Sequence, residues 1–300
     1  MVEYTVIEDA AGLAAASASL ASGIGPVAVD VERASGFRYS QRAYLIQVFR
    51  RDAGVFLFDP STIEDFSPLQ DAIGDAEWVF HAASQDLPSL RERGLEPPVI
   101  FDTELGARLL GHERVGLGAV VEETLGITLA KAHSAADWST RPLPPSWLEY
   151  AALDVEHLVD VRDKLAAELD EQEKTEFARQ EFQAVLERLP KPPRDDPWRR
   201  LSGLHTVRGR RSLAVARSLW QAREDYAREQ DGAPGRLVGR EQAVGHQPLV
   251  QLGGAGELLP SLLDVTGVDE PAYELELSRR RSVLCHLSPS PSNHLIGYVT

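Results

Sequence analysis

The sequence predicts an α/β protein, a mixed sheet covered by helices, followed by a smaller all-α domain. Three observations predict it. Short stretches with period-two alternation, such as "PVAVDVER" from Pro26 to Arg33, read as strands with β-branched residues on one face. These stretches come first as a hairpin-linked group and then alternate with helical stretches, the pattern of a mixed sheet under helices. A Pro-rich, charged segment, "RLPKPPRDDPW", marks a boundary near residue 190, and helical periodicity follows it. The predicted organisation is a first domain over 1–190, a helical domain over 194–282 and an unassigned tail over 283–300.

The elements follow in order. "YTVIED" reads as a strand, and "AAGLAAASASLAS" as a helix stopped by Gly23 and Gly25. The strand of Val27, Val29 and Val31 comes next, then a polar, Gly-containing turn, "RASGFRYSQR". Two strands follow, "AYLIQVFR" and "GVFLFDP", joined by "RDAG", a hairpin signal that predicts an antiparallel pair. "IEDFSPLQDAIG" reads as a helix. "EWVFHA" reads as a strand running into a helix, "SQDLPSLRERG", with Ser84 as its N-cap. "VIFD" is a short strand, and "TELGARLLG" and "LGAVVEETLG" are short helices. The loop "ITLAKAHSAADWSTRPLPP" leads to a helical stretch from about Ser146 to Leu189, one helix or two.

Length and composition bound the function. Three hundred residues suffice for roughly one to three domains. The formal net charge of −15 excludes a chain that grips nucleic acid by overall charge, so an anionic substrate needs a local basic patch or bound cations. The one cysteine, Cys285, excludes an internal disulfide and a cysteine-based zinc site, and has no His/Asp company that would make it a nucleophile. That usage fits a reducing, cytoplasmic setting. The acidic start "MVEYTVIEDA" is not read as a secretory signal, and no stretch reads as a membrane span. Neither GxxxxGKS/T nor GxGxxG occurs, which removes the usual signatures of triphosphate and dinucleotide binding.

Three groups of acids stand out. Asp30 and Glu32 share one face of a strand, where like charges repel. On their own they read as a solvated strand end or an ion pair with Arg33. Asp86 falls in the first turn of a predicted helix, where the dipole favours an acid. Tyr150 and Asp154, in "LEYAALDVEHL", are a helical turn apart and share a face with or near Trp147, Ala151, Leu158 and Val161. That face is therefore buried and carries one acid, which is costly without a partner. Glu156 and Asp160 fall off the stripe and read as solvated charge, and His157 as a residue at the surface or behind the acids.

Taken in order, D-x-E on a strand, D early in a helix and Y-x-x-x-D on a helix resemble the DEDD superfamily of 3′–5′ exonucleases, in its tyrosine subclass. The histidine subclass has His five residues before the last Asp, where this chain has Glu149. The loop "KAHSAADWSTRPL" resembles the Lys, Asp-Trp-Ser and Arg-Pro-Leu landmarks of the ribonuclease D family. The resemblance covers the first ~190 residues. It implies a ribonuclease H-like mixed sheet and two divalent cations, Mg²⁺ or Mn²⁺, roughly 3.5–4 Å apart. By resemblance Asp30 bridges both, Glu32 and Asp154 complete the site that activates water, and Asp86 serves the other ion. The cations would then cancel the repulsion between Asp30 and Glu32. Tyr150 would orient the nucleophilic water or help deprotonate it. An ordinary tyrosine pKa of about 10 favours orientation.

The implied activity is hydrolysis of RNA 3′ ends to 5′-monophosphates, with precursor transfer RNA trailers as substrate. No membrane and no obligate protein partner are implied. A 3′–5′ DNA exonuclease stays open, because sugar discrimination rests on 2′-hydroxyl contacts. A non-catalytic RNA-binding protein is disfavoured by the presence of all four acids and Tyr150.

Other residues are candidates for substrate contact. Arg33 stands where many family members carry an aromatic, and an arginine there could stack or pair with phosphate. Gln47, between Ile46 and Val48, reads as a ribose or base contact or as a satisfied polar residue of the sheet. His81 opens the second motif and reads as support for the site or as a strand-end histidine. Lys131 and Arg141 flank the loop and read as phosphate contacts or solvated charge, and Trp138 as the loop's anchor. Beyond the linker, Arg199, Arg200, Arg208, Arg210, Arg211, Arg217 and Arg223 make a basic stretch, with Trp220 on its apolar stripe. "A-R-E-x-x-A-R-x-x-D-x-A-P-G-R" resembles the start of the helicase-and-ribonuclease-D C-terminal (HRDC) domain, which implies a small nucleic-acid-binding module. The likeness fades after about residue 237.

Overall fold

The computed structural model describes residues 2–129, 135–189, 192 and 194–237. They fall into two compact units, one over Met1–Ser35 and Gln41–Lys191, the other over Gly36–Ser40 and the chain from Pro192 onward.

The first unit is built on six strands, β1 (Tyr4–Ile7), β2 (Ile24–Arg33), β3 (Ala43–Arg51), β4 (Gly54–Phe58), β5 (Glu77–Phe80) and β6 (Val99–Asp102). Their order across the sheet is β1-β4-β3-β2-β5-β6. The β3–β4 pair is antiparallel, as the hairpin signal predicts. Its turn puts Asp52 and Gly54 at φ +65° and +99°, a backbone that glycine accepts without strain. β2 lies inside the sheet, antiparallel to β3 and parallel to β5. The other pairs, β1 with β4 and β5 with β6, are parallel, so the sheet is mixed.

Eight helices belong to this unit among the described residues: α1 (Ala10–Ser22), α2 (Ser67–Ile73), α3 (Leu87–Arg91), α4 (Thr103–Leu110), α5 (Leu117–Leu125), α6 (Pro145–Glu156), α7 (Leu158–Glu171) and α8 (Thr175–Leu186). Asp9 starts α1 by accepting the Gly12 N–H at 2.7 Å. The core sits between sheet and helices. Val27, Val29, Leu45, Ile46, Val48 and Leu57 are essentially fully buried, as are Leu13 and Leu20 of α1 and Ala151, Val155, Val161 and Leu165 of α6 and α7. Each buried aliphatic side chain of Val or Leu size contributes about 1.5–3 kcal/mol relative to exposure.

Several elements depart from the sequence reading. "IEDF" stays outside α2, because Asp65 accepts from the backbone N–H and the hydroxyl of Ser67 and starts the turn there. The helix expected from Ser84 splits into a 3₁₀ turn, Ala83–Gln85, and the short α3. Ser84 does not cap it; Asp86 sits at the junction of the two. The stretch from Ser146 is three helices rather than one or two, broken at His157 and at Glu173, whose φ is +56°. Asp160 is not merely solvated: with Asp163 it pairs with Arg51, at 2.5 and 2.8 Å.

The second unit contains α9 (Arg210–Glu229) and short 3₁₀ turns. Among its described residues the buried ones are Trp198, Ser212, Val215, Ala216, Ala227 and Ala233. Trp220, expected in the core, is only half-buried, because α9 turns Val215 and Ala216 inward instead. Within this unit the Ser40 N–H donates to Asp231 Oδ1 at 2.8 Å, and the Ala233 N–H to the Phe37 carbonyl at 3.1 Å. The guanidinium of Arg236 lies 3.7 Å from the Phe37 ring centroid. The expectations for 238–282, for the tail over 283–300 and for Cys285 lie outside the described residues. No helix among the described residues is long and apolar enough to cross a membrane.

Candidate active site

β2 delivers Asp30 and Glu32 to the sheet face that α6 covers, and α6 brings Asp154 down onto them. One carboxylate oxygen from each of the three lies within 4.8 Å of the others. Asp154 reaches this point because Ala151, Ala152 and Val155, its neighbours on α6, are fully buried and seat the helix on β2, β3 and β4.

Asp86 completes the group from the end of β5. The chain leaves the strand through Ala82, which holds a left-handed backbone with φ +66°. For a residue with a Cβ this costs about 1–3 kcal/mol. The Asp86 N–H then donates to the Ala83 carbonyl at 3.1 Å. Asp86 is 3 % exposed.

The electrostatics of the four acids are those of a site short of positive charge. Burial raises Asp30, against a hydrogen bond from the Val31 backbone and the charge of Arg33. Burial, then the charges of Asp30, Asp154 and Asp86, pushes Glu32 up to about 10. Burial, then Asp30, pushes Asp154 up to about 8. Asp86 is raised well above the ordinary carboxylate value, first by burial and then by Asp30. Three converging carboxylates with a fourth, Asp86, near enough to raise Glu32 present hard oxygen donors without enough countercharge. That donor set fits divalent cations, held by Asp30, Glu32 and Asp154 with Asp86 beside them.

Tyr150 lies one turn before Asp154 on α6, and its hydroxyl donates to the Asp154 carboxylate. Burial, then the charges of Asp154 and Glu32, raises the phenol above its usual value, so it stays protonated in the metal-free protein and acts as a donor. Trp138 is fully buried behind it, with ring centroids 6.5 Å from Tyr150 and 5.3 Å from Trp147.

The remaining sequence candidates divide. Arg33 reaches the acids: Nη1 donates to the Gln85 carbonyl and Nη2 stands 3.6 Å from Asp86 Oδ1. Lys131 lies outside the described residues. Arg141 is committed elsewhere. Its Nε and Nη2 fork the carboxylate of Asp59 at 2.6 and 2.7 Å, and Nη1 and Nη2 also donate to the carbonyls of Trp138, Thr140 and Tyr44. All three nitrogens are spent inside the protein, which replaces the expected phosphate contact with a wall anchor. Burial alone would raise Asp59, but hydrogen bonds from Arg141 and Ser61 outweigh it and hold the carboxyl below its usual range. The sequence reading missed Asp59. Its one signal is an acid directly after the strand "GVFLF".

Gln47 is fully buried opposite Asp30 in the β2–β3 register, so it cannot reach a ribose or base from there. Both faces of β3 are covered, which the alternation around it did not reveal. His81 is also removed from the expected substrate contact. Its Nδ1 lies 2.9 Å from Thr103 Oγ1, and the ring also meets the Val115 backbone. Burial holds its pKa down at about 4, so it offers phosphate no positive charge at neutral pH.

A family model described as 3′–5′ exonuclease matches residues 4–170. Among curated proteins, the chain is similar to ribonuclease D of Escherichia coli (33 % identical, covering 77 % of this chain and 62 % of that one). It is also similar to ribonuclease D of Nitrobacter hamburgensis (32 %, with 73 % and 58 %). The chain spans 52–63 % of the length of the curated relatives it matches. Among solved structures, a protein from Bifidobacterium adolescentis superposes with a TM-score of 0.79 at 35 % identity, over 97 % of this chain and 78 % of that one. Escherichia coli RNase D, an exoribonuclease involved in structured RNA processing, gives 0.65 at 27 %, over 97 % and 79 %.

Proposed function

The chain belongs to the 3′–5′ exonuclease family, and from that premise we propose that it is a metal-dependent exoribonuclease of the ribonuclease D kind. It would shorten RNA from the 3′ end, releasing 5′-monophosphates, with precursor transfer RNA trailers as the substrate and the cytoplasm as its place of work. The observation that carries the reading is the convergence of Asp30, Glu32 and Asp154 within 4.8 Å, partly buried and with Asp86 beside them. When bound there, two Mg²⁺ or Mn²⁺ ions would supply the positive charge that stabilises the attacking and leaving oxygens of a phosphodiester. The protein's own part is positional. β2 and α6 hold the carboxylates so that no rearrangement is needed at the moment of reaction. Tyr150, protonated and donating to Asp154, orients rather than removes a proton. Arg33, at the edge of the acids with its side chain 21 % exposed, can turn to a substrate phosphate.

The basic segment Arg199 to Arg223 supports a second part of the proposal, that the second unit is an HRDC-like module adding phosphate contacts for longer RNA. The test of activity is a time course on matched 5′-end-labelled and 3′-end-labelled RNA and DNA, with and without Mg²⁺ or Mn²⁺. Stepwise shortening of 5′-labelled RNA with immediate release of labelled mononucleotide from the 3′ end, only with metal, is the expected result. Equal or faster shortening of DNA makes the enzyme a DNA exonuclease, and no shortening of either removes the activity.

A further inference from the structure

Asp102 is a buried acid with no place in the chemistry above. It is 1 % exposed, the last residue of β6, and directly paired with Phe80 across the sheet. Its carboxylate accepts four backbone N–H groups. Oδ1 takes Glu104 at 3.0 Å and Leu105 at 3.2 Å, which caps α4. The other two are remote in sequence: Oδ1 also takes Ala82 at 3.1 Å, and Oδ2 takes Ala83 at 2.9 Å. Three donors crowd Oδ1 and one holds Oδ2, so the carboxylate is committed to the backbone on both oxygens. Thr103, fully buried, adds a second hold: its hydroxyl donates to the Phe80 carbonyl at 3.0 Å and meets His81 Nδ1 at 2.9 Å.

The Asp102–Thr103 pair thus binds every residue from 80 to 83. This is the stretch in which Ala82 takes its left-handed backbone, a conformation that persists only where surrounding bonds enforce it. The peptide groups of Ala83 then pass the hold onward. The Ala83 N–H is fixed on Asp102, and the Ala83 carbonyl receives the N–H of Asp86. One residue therefore links the buried carboxylate to the acid of the site.

We propose that Asp102 is a positioning residue: through Ala82 and Ala83 it sets the turn that aims Asp86 at Asp30 and Glu32. This rests on the exonuclease reading only through Asp86's role as a cation ligand. The simpler alternative is that Asp102 only caps α4, and two substitutions separate them. Asp102→Ser keeps a good cap for α4 but is too short to reach Ala82 and Ala83. Asp102→Asn keeps the length but turns an amide N–H₂ toward N–H donors.

The experiment compares wild type, Asp102→Ser, Asp102→Asn, Asp86→Asn and the double variant Asp86→Asn/Asp102→Ser. Two readouts are taken, kcat and KM on a short RNA, and the rise in melting temperature on titrating Mn²⁺. The second needs no activity, so it tests the positioning even if the RNA assay fails. The expected result for Asp102→Ser is a roughly 10- to 100-fold fall in kcat with KM nearly unchanged, and a Mn²⁺ midpoint raised by about tenfold. In the Asp86→Asn background it should cost nothing more, because residues acting as one unit are not additive. Asp102→Asn should fall on the same side of wild type. The proposal is overturned if Asp102→Ser lowers the melting temperature but keeps the wild-type kcat and Mn²⁺ midpoint, or if its loss adds in full to that of Asp86→Asn. If Asp102→Ser does not fold, the same two criteria are read from Asp102→Asn.

Discussion

Arg33 Nη2 stands 3.6 Å from Asp86 Oδ1, and its charge opposes the upward pKa shifts of Asp30, Glu32 and Asp86 alike. It serves as the tethered cation of the metal-free site. Arg33→Gln should lower the melting temperature in EDTA by about 3–12 °C, the equivalent of roughly 1.5–3 kcal/mol for a hydrogen bond to a charged group. Saturating Mg²⁺ should shrink the deficit. Thermal unfolding in both conditions checks this, and an equal deficit in both would assign Arg33 an ordinary structural role.

The pH dependence follows from the raised acids. Glu32 at about 10 and Asp154 at about 8 keep protons in the folded, metal-free protein that the unfolded chain releases near pH 4. The folded state then binds more protons than the unfolded one, so their contribution to stability falls as pH rises from about 4 toward these values. Divalent ions replace those protons. The rise in melting temperature on adding Mg²⁺ should therefore be larger at pH 8.5 than at pH 6. His81, held at about 4, contributes with the opposite sign but is common to both arms and cancels. A metal-induced rise that is flat with pH would contradict the shifts.

Tyr150→Phe removes the hydroxyl that donates to Asp154 and keeps the ring beside Trp138. kcat should fall by roughly 10- to 1,000-fold with metal affinity barely changed. Because the phenol is raised rather than lowered, the pH–rate profile should show no limb belonging to Tyr150 below pH 9. Wild-type turnover in this variant would take Tyr150 out of the mechanism.

Arg141→Lys tests the reassignment of that residue. Lysine cannot fork Asp59, whose side chain is 4 % exposed, so the variant leaves a buried carboxylate poorly paired and should lose about 3 kcal/mol of stability. The salt dependence of RNA binding should stay at the wild-type slope, since no phosphate contact is lost. A flatter slope with unchanged stability would return Arg141 to the substrate.

Much of the site was legible because its residues are local in type and order. Asp30 and Glu32 announce themselves as two acids on one face of an alternating strand, and Tyr150 and Asp154 by their helical spacing. What was not legible depends on partners far along the chain. Arg141 looked like a free loop cation because Asp59, 82 residues away, shows nothing of the fork they form. Gln47 could be read as a ribose or base contact because alternation on β3 cannot report that both faces of the strand are covered. Asp102 showed only as the end of the strand "VIFD"; its bonds to Ala82 and Ala83 appear only when β6 is laid beside β5. The membership of Gly36–Ser40 in the second unit was equally hidden, since Asp231 and Ala233 hold residues almost two hundred positions earlier.

The most direct measurement is on Asp30→Asn, read as melting temperature in EDTA and with Mn²⁺, alongside shortening of 5′-labelled RNA. Asp30 is half-buried beside Glu32, Asp86 and Asp154, and its surroundings already disfavour its charged form, so Asn costs the metal-free protein little and removes a ligand from the loaded one. The variant should melt in EDTA at or above the wild-type temperature, show little or no rise with Mn²⁺, and leave RNA unshortened. A variant that melts clearly below wild type in EDTA, yet keeps the Mn²⁺ rise and the nuclease activity, would make Asp30 a structural partner and contradict its role as a ligand.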